Sequence, residues 1–327
     1  MERLDAFMAR ANAAYYAGPD PLAGFATAPE ISQVFGELLG AWVATVWAGI
    51  GRPAAVLAEA GPGRGTLMAD ALRVLRRAAP GLVQGGLVGR VHLIESSASL
   101  RAAQGRAVPG AVWHDRVEDL PAGPLLLLAN EFLDALPVRQ AVRRGDGWME
   151  RHVAGGAFVE VAGEAPPVEF DVEDGAVVEW SPVARDVVGW VARRVAREGG
   201  VALFVDYGPG RSGAGDSLQA LRDGRAADPL VDAGAADLTA HVDFPALAGV
   251  ARAAGAGVQG PVAQGDFLAR LGLFERSRAL AAGQAPARAG ATMQAAQRLA
   301  EPHLMGRLFK AMAVCHPATP PLPGFAA

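Results

Sequence analysis

Short apolar runs alternate with stretches of helical periodicity along most of this chain. Ala54 to Leu57, Val91 to Glu95, Val112 to His114, Pro124 to Ala129, Val201 to Val205 and Leu308 to Val314 each read as a strand. Leu125 to Leu128 contains no polar position, as expected of a strand covered on both faces. Between the strands, the 3.6-residue period predicts helices over Thr66 to Ala79 and Val183 to Arg197. Ser96 or Ser97 caps a further helix through Leu100 and Arg101, and Asp243 caps one over Ala246 to Ala254. Residues 277–300, rich in Ala and Gln, also read as helix. The first helix is expected from Thr27 to about Trp47. Its opening, Thr27-Ala28-Pro29-Glu30, has the form of a capping box with proline in the first turn.

This order predicts an α/β fold built on a mostly parallel, doubly wound sheet with helices on both faces. Val138 to Val142 and Trp148 to Val153 alternate around Arg143-Arg144-Gly145-Asp146-Gly147 and predict a hairpin leaving the sheet. Residues 155–180 read as a surface segment, and Gln84 to Gly89 as a glycine-rich connection. The expected layout is a helical lead over 1–50 on the acceptor side and a Rossmann-like core over 51–210. The core carries its insertion at about 138–180. A largely helical acceptor-side insertion follows over 211–300, then the last strand and a Pro-rich tail over 301–327.

The densest chemical signal lies just after the first strand. Glu59-Ala60-Gly61-Pro62-Gly63-Arg64-Gly65 has the form Glu-x-Gly-x-Gly-x-Gly and runs into the helix at Thr66. Alternate glycines let the backbone bend tightly and approach a ligand, while the helix presents free N–H groups to the turn. A dinucleotide fingerprint needs Gly-x-Gly-x-x-Gly, and here its third position is Thr66. A phosphate loop needs Lys-Ser/Thr at its end, and the one lysine is Lys310. Glu59 suits a cationic amino group better than a pyrophosphate. The pattern resembles that of class I S-adenosylmethionine methyltransferases; a bare strand–helix turn is the plainer alternative.

Composition narrows the partners. The 327 residues are 51% hydrophobic and 20% charged, enough for a substantial core. A net charge of −4 argues against a nucleic-acid partner. The single cysteine, Cys315, excludes an internal disulfide framework and a cysteine-built zinc site. The six histidines show no metal-ligand spacing, so no metal is expected. The longest weakly polar run, Leu38 to Ile50, is shorter than the ~20 residues that span a bilayer, so no membrane insertion is expected. The early acids at Glu2 and Asp5 do not look like a secretory signal or an organellar leader. The expected location is the bacterial cytoplasm, or the mitochondrial matrix only for a eukaryotic source.

In doubly wound sheets ligands bind beyond the carboxyl ends of the strands. Five strands here end in Glu59, Glu95, His114-Asp115, Asn130-Glu131 and Asp206. Glu59 and the Gly61, Gly63 and Gly65 backbone, with Thr66, would hold the methionine part of the cofactor. Glu95, with Ser96 beside it, would accept the ribose hydroxyls, and Asp115 the adenine amino group. Asn130 lies where cofactor and acceptor meet. Asn130, Glu131 and Asp134 form the candidate acceptor site, because paired carboxylates suit a planar guanidinium. An acid favouring a helix N-terminus is the alternative for Asp134. His241 is a weaker candidate base, since a lone loop histidine is usually structural. Tyr15, Tyr16, Phe25 and Trp42 line a channel or pack in the core.

Several blocks together resemble the MidA-like proteins, which include the mitochondrial complex I assembly methyltransferases. They are Thr27 to Glu37, Glu59 to Met68, Val91 to Gln104, Ala129 to Gln140, Phe204 to Gly208, Ala236 to Phe244, Gln264 to Leu271 and Met305 to Val314. The most specific are Thr-Ala-Pro-Glu-Ile-Ser and Asn-Glu-Phe-x-Asp-Ala-Leu-Pro. Two segments depart: Ala23-Gly24-Phe25 stands where the family usually has Gly-Asp-Phe, and Asp223-Gly224-Arg225-Ala226 lacks a basic or histidine-bearing stretch. The resemblance implies a class I methyltransferase fold, S-adenosylmethionine as cofactor, and arginine methylation on a protein of the peripheral arm of respiratory complex I. It leaves open a homodimer, a small-molecule acceptor, and an assembly chaperone that binds the cofactor without catalysis.

Overall fold

The computed structural model describes residues 1–18, 21–22, 26–84 and 90–325. The glycine-rich connection after Gln84 and the Ala23-Gly24-Phe25 segment lie outside the described residues. Seven strands form the central sheet: β1 (Val56–Ala60), β2 (His92–Ile94), β3 (Val112–His114), β4 (Leu125–Asn130), β5 (Gly200–Tyr207), β6 (Gly257–Ala263) and β7 (Phe309–Cys315). Their order is β3-β2-β1-β4-β5-β7-β6. Neighbours are parallel from β3 to β5, and β7 runs antiparallel to both β5 and β6. The α/β, mostly parallel sheet read from the sequence is the sheet observed.

The side-chain period of two divides the central strands between two cores. Leu57, Leu126, Leu128, Leu203 and Val205 face one core, with helices α3 (Gln33–Gly49) and α4 (Thr66–Ala78). Val56, Ala58, Leu125, Leu127 and Phe204 face the other, with the helices over Pro182–Glu198 and Phe244–Ala253. The helix after β1 therefore lies on one face and the helix after β4 on the opposite face. That divergence opens a crevice between β1 and β4 at their carboxyl ends.

A third, smaller core roofs this crevice. Helix α1 (Leu4–Tyr16) buries Leu4, Phe7, Met8 and Ala11 against Val138, Val153, Ala220 and Leu238. The predicted hairpin is part of a larger antiparallel sheet. Arg139–Arg144 and Gly147–Ala154 are joined by Ala157–Gly163, Val177–Trp180 and the short N-terminal strand Glu2–Arg3. Two stretches of the expected surface segment are thus strands, recruited by pairing across distance rather than by local pattern. Residues 211–300 likewise hold a three-stranded sheet (Gln219–Arg222, Arg225–Ala227, Asp237–Thr239) besides helices, and contribute β6 to the central sheet.

The helix expected from Thr27 to Trp47 is interrupted. A one-turn helix α2 (Ala28–Ile31) ends at Ser32, whose backbone is extended and whose hydroxyl accepts from the Val34 N–H to cap α3. Thr27 makes no side-chain cap, and the Glu30 carboxylate is drawn instead to Arg64 at 2.7 Å. The capping box does not form because a stronger, charged partner takes its glutamate.

Close contact between α3 and α4 depends on Gly40. A Cβ there would lie 2.7 Å from both the Cα and the carbonyl oxygen of Ala71, where only backbone could yield. Gly40→Ala is therefore expected to lower stability by about 1–3 kcal/mol in chemical denaturation, despite alanine's higher helix propensity. Gly49→Ala, at the end of the same helix with nothing within 4 Å, is the control. It should leave the midpoint unchanged or raise it slightly.

Candidate active site

The crevice is a cavity of about 990 Å³. One side is the glycine loop. Gly61 and Gly63 adopt φ of +63° and +54°, and a Cβ on Gly61 would come within 3.0 Å of the Phe132 ring. Gly65 is the N-cap of α4 in the left-handed region. It faces Ala107 and Gln104 rather than the cavity, so it sets helix packing beneath the loop. Thr66 opens α4 and lines the cavity. Glu59, 2% exposed, accepts the Met68 N–H, while its Oε2 has no partner. Burial pushes its carboxyl up to about 8.

The loop is braced from neighbouring elements. Buried Gln104, on the helix Ala98–Ala107, donates to the Gly63 carbonyl at 2.8 Å and to Glu95 at 3.1 Å, and accepts from the Trp113 indole. Glu95 also takes the Ser97 N–H at 2.8 Å, and both Glu95 and Ser96 line the cavity. Asp115 lines it too, ion-paired with Arg101 at 2.6 Å. Arg64 reaches across to Glu30 and so ties the glycine loop to α2. No local pattern marks Gln104 or the Glu30–Arg64 pair as part of this site.

The other side follows β4. Asn130 is buried, donates to Glu131 at 3.0 Å, and leaves its Oδ1 without a partner. Glu131 has a left-handed φ of +50°, unusual for a non-glycine residue and costly unless its surroundings enforce it. Its Oε1 also accepts the Ala28 N–H at 3.1 Å. Two blocks about a hundred residues apart, around Ala28 and around Glu131, therefore meet at one carboxylate. Burial raises the Glu131 carboxyl.

Asp206, at the end of β5, lies behind this loop. Its Oδ2 accepts the N–H groups of Phe132, Leu133 and Asp134 at 2.9 to 3.3 Å, and its Oδ1 that of Tyr207. Burial, opposed by those bonds, leaves its carboxyl at about 7. It shapes the loop and does not itself line the cavity. Asp134, 6% exposed, does line it, with Oδ1 unpartnered. Burial, and Asp206 beside it, hold the Asp134 carboxyl well above the usual range.

The structure gathers Glu59, Gly61, Gly63, Thr66, Glu95, Ser96, Asp115, Asn130, Glu131 and Asp134 around one cavity. It does not bring His241 there. That residue is exposed, packs edge-on against Tyr207 and donates its backbone N–H to Ser217. The nearby group that faces the cavity is Asp237, buried on the strand Asp237–Thr239. Of the four aromatic candidates, Tyr16 lines the cavity, Trp42 is in the core, Tyr15 donates to the Pro21 carbonyl, and Phe25 is outside the described residues. Among the described residues no group of three or more His, Cys, Asp or Glu is placed to hold a metal ion, and no helix is long and apolar enough to cross a membrane.

Comparison with known proteins agrees with this geometry. Residues 38–262 match the family described as "Putative S-adenosyl-L-methionine-dependent methyltransferase". The protein arginine methyltransferase NDUFAF7 homolog, mitochondrial, of Drosophila melanogaster is 34% identical over 89% of this chain and 74% of its own length. Its Danio rerio counterpart is 32% identical over 93% and 80%. A solved structure from Burkholderia thailandensis, bound to S-adenosyl-homocysteine, superposes with a TM-score of 0.81 at 30% identity, covering 99% of this chain and 90% of that one. The chain therefore belongs to the MidA-like family of S-adenosyl-L-methionine-dependent methyltransferases.

Proposed function

We propose that this methyltransferase acts on the guanidinium of an arginine side chain in a protein. The carrying observation is the set of carboxylates lining the acceptor side of the cavity, Glu131, Asp134 and Asp237. A guanidinium fits carboxylates through paired, charge-assisted hydrogen bonds. The names of the relatives from Drosophila and Danio support the same acceptor.

The cofactor side fits S-adenosylmethionine. A Cβ on Gly61 or Gly63 would crowd the Phe132 or Leu22 side chain at the cavity wall, so the loop can lie this close only as glycine, and the unpartnered Glu59 Oε2 suits a cationic amino group. Glu95 and Ser96 would hold the ribose, Asp115 the adenine, and Thr66 with the Gly61 and Gly63 backbone the methionine part. When bound, the cofactor supplies an electrophilic methyl group on a sulfonium. The chain's own work is positioning and proton handling. Glu131 and Asp134 orient the acceptor. As carboxylates held at raised pKa, they are better proton acceptors than exposed acids when the guanidinium gives up its proton.

Glu59 generates a pH prediction. With its carboxyl at about 8 before the cofactor binds, it is mostly protonated at pH 7. Pairing with an amino cation favours the ionised form, so binding should release a proton, approaching one per cofactor at pH 7 and vanishing above pH 9. Calorimetry in buffers of different ionisation enthalpy measures this release. Glu59→Gln should abolish the proton release that comes from the carboxyl, leaving only the cofactor's amino group to titrate, and weaken cofactor affinity about 10- to 100-fold. Unchanged affinity and proton release would remove Glu59 from the cofactor site.

The acceptor is tested with radiolabelled S-adenosylmethionine and lysate from a strain lacking the gene. A labelled protein band yielding methylarginine on hydrolysis is the expected result. Label confined to small molecules would favour a metabolite acceptor, and tight cofactor binding without transfer an assembly role. Glu131→Gln should keep cofactor affinity but reduce turnover by about 100-fold or more, in line with loss of a general base. Full turnover would exclude Glu131 from the chemistry.

A further inference from the structure

Beyond β4, the acceptor side contains a second constellation, built from the N-terminal helix and the strand Asp237–Thr239. Asn12 of α1 pairs with one edge of that strand: its Oδ1 accepts the Leu238 N–H at 3.0 Å and its Nδ2 donates to the Leu238 carbonyl at 2.8 Å. The same amide nitrogen donates to the Ala135 carbonyl at 3.0 Å, in the loop that carries Glu131 and Asp134. One buried side chain thus fixes three segments to each other. One turn further along α1, the Tyr16 hydroxyl donates to Asp237 Oδ1 at 2.9 Å. The Tyr16 carbonyl accepts from the Ser97 hydroxyl at 2.6 Å, immediately after Glu95 and Ser96. Tyr16 is therefore held on its backbone side by the cofactor edge of the cavity and holds, with its phenol, a carboxylate on the acceptor edge. Asn12, Tyr16, Asp134 and Asp237 all line the cavity.

We propose that Asp237, oriented by Tyr16, is a specificity-determining carboxylate of the acceptor pocket, binding the edge of a guanidinium that Glu131 and Asp134 leave free. This inference rests on the arginine reading given above. A guanidinium has five donors in a rigid plane, more than one or two carboxylates can satisfy, so a third acid on a separate element adds orientation as well as charge. Asp237 is 4% exposed, and a buried acid with a cavity face and one phenolic partner is a costly arrangement without a cationic ligand. Tyr16 acts through Asp237 and is a positioning residue.

The groups facing Asp237 are Tyr16, with Tyr15 beside it on α1, and Asp134 and Glu131 from the loop after β4. Burial raises the Asp237 carboxyl to about 6, and the Tyr16 bond opposes that rise by favouring the ionised form. Ionised Asp237 binds the acceptor, so kcat/KM should fall as pH drops through about 6. Removing the phenol removes the opposing bond, so in Tyr16→Phe the limb should move to higher pH.

The test uses the full-length protein, with S-adenosyl-homocysteine affinity as the check on folding. With the labelled acceptor from the lysate assay, Asp237→Asn should raise the acceptor KM tenfold or more and remove the component of the acid limb that titrates at about 6, leaving the limb set by Glu131 and Asp134. Cofactor affinity should be unchanged. Tyr16→Phe should shift the limb upward with a smaller KM effect. Methylarginine formation with unchanged KM and limb in both variants would overturn the assignment of Asp237 and leave the arginine reading standing. Label in a residue other than arginine would overturn the reading instead. A second arm needs no turnover: methylguanidinium titrated into protein saturated with S-adenosyl-homocysteine. Binding by the wild type that weakens tenfold or more in Asp237→Asn supports the assignment; equal binding, or none by the wild type, overturns it.

Discussion

The pairing of β1 with β4 is the contact on which the site depends. These strands run parallel and in register from Val56 beside Leu125 to Ala60 beside Ala129. Both are buried throughout, so neither can expose a polar side chain along its length. Polar groups emerge only at the carboxyl ends, and there the chain departs in opposite directions: to α4 on one face and, through the inserted sheet, to Pro182–Glu198 on the other. No helix can fill the gap between those departures. The cavity is a consequence of connectivity, and the glycine loop and the Glu131–Asp134 loop border it because they are the first residues free of the sheet.

That constraint explains why so much of the site was legible in the sequence. Glycine spacing at Gly61 and Gly63 reports backbone conformations that side chains would disfavour. Acids at strand ends report the one edge where a doubly wound sheet meets a ligand. The apolar runs gave all the central strands except β6, whose Gly257-Val258-Gln259-Gly260-Pro261 stretch lacks a continuous apolar pattern. Missed features share a different cause: each is defined by a contact between distant segments. Ala157–Gly163 and Val177–Trp180 are strands because Gly147–Ala154 and Arg139–Arg144 pair with them. Thr27-x-x-Glu30 has the letters of a capping box, but Arg64 is a better partner for the glutamate. Asp237 carries no local signal, whereas His241, which has the more suggestive chemistry, is exposed and does not line the cavity.

The loop after β4 shows how these contacts are layered. Asp206 gathers three successive N–H groups and so sets the path of Phe132 to Asp134. The Ala28 N–H and the Asn130 amide then fix Glu131, which tolerates a left-handed backbone because both its neighbours in space and its neighbours in sequence are held. Asn12 fixes the far end of the loop at Ala135. Strain at Glu131 is sustained by surroundings that leave it no alternative, the usual condition for such residues at functional sites.

Electrostatics supplies the last step. The proposed reaction brings two cations together, a sulfonium on the cofactor and a guanidinium on the acceptor. Two unit charges 4 Å apart repel by about 4 kcal/mol at an effective dielectric of ~20. A site built from amides would orient both ligands and leave that repulsion in place. Carboxylates beside each ligand offset it, and they do so most strongly where water is excluded. Their burial in the absence of ligand is unfavourable, as the raised carboxyls of Glu59, Glu131, Asp134 and Asp237 register. The same burial makes each of them a stronger proton acceptor and a stronger partner for a cation once one arrives. An acid cluster of this kind is poorly suited to a neutral acceptor, and that mismatch is the physical argument for a cationic one.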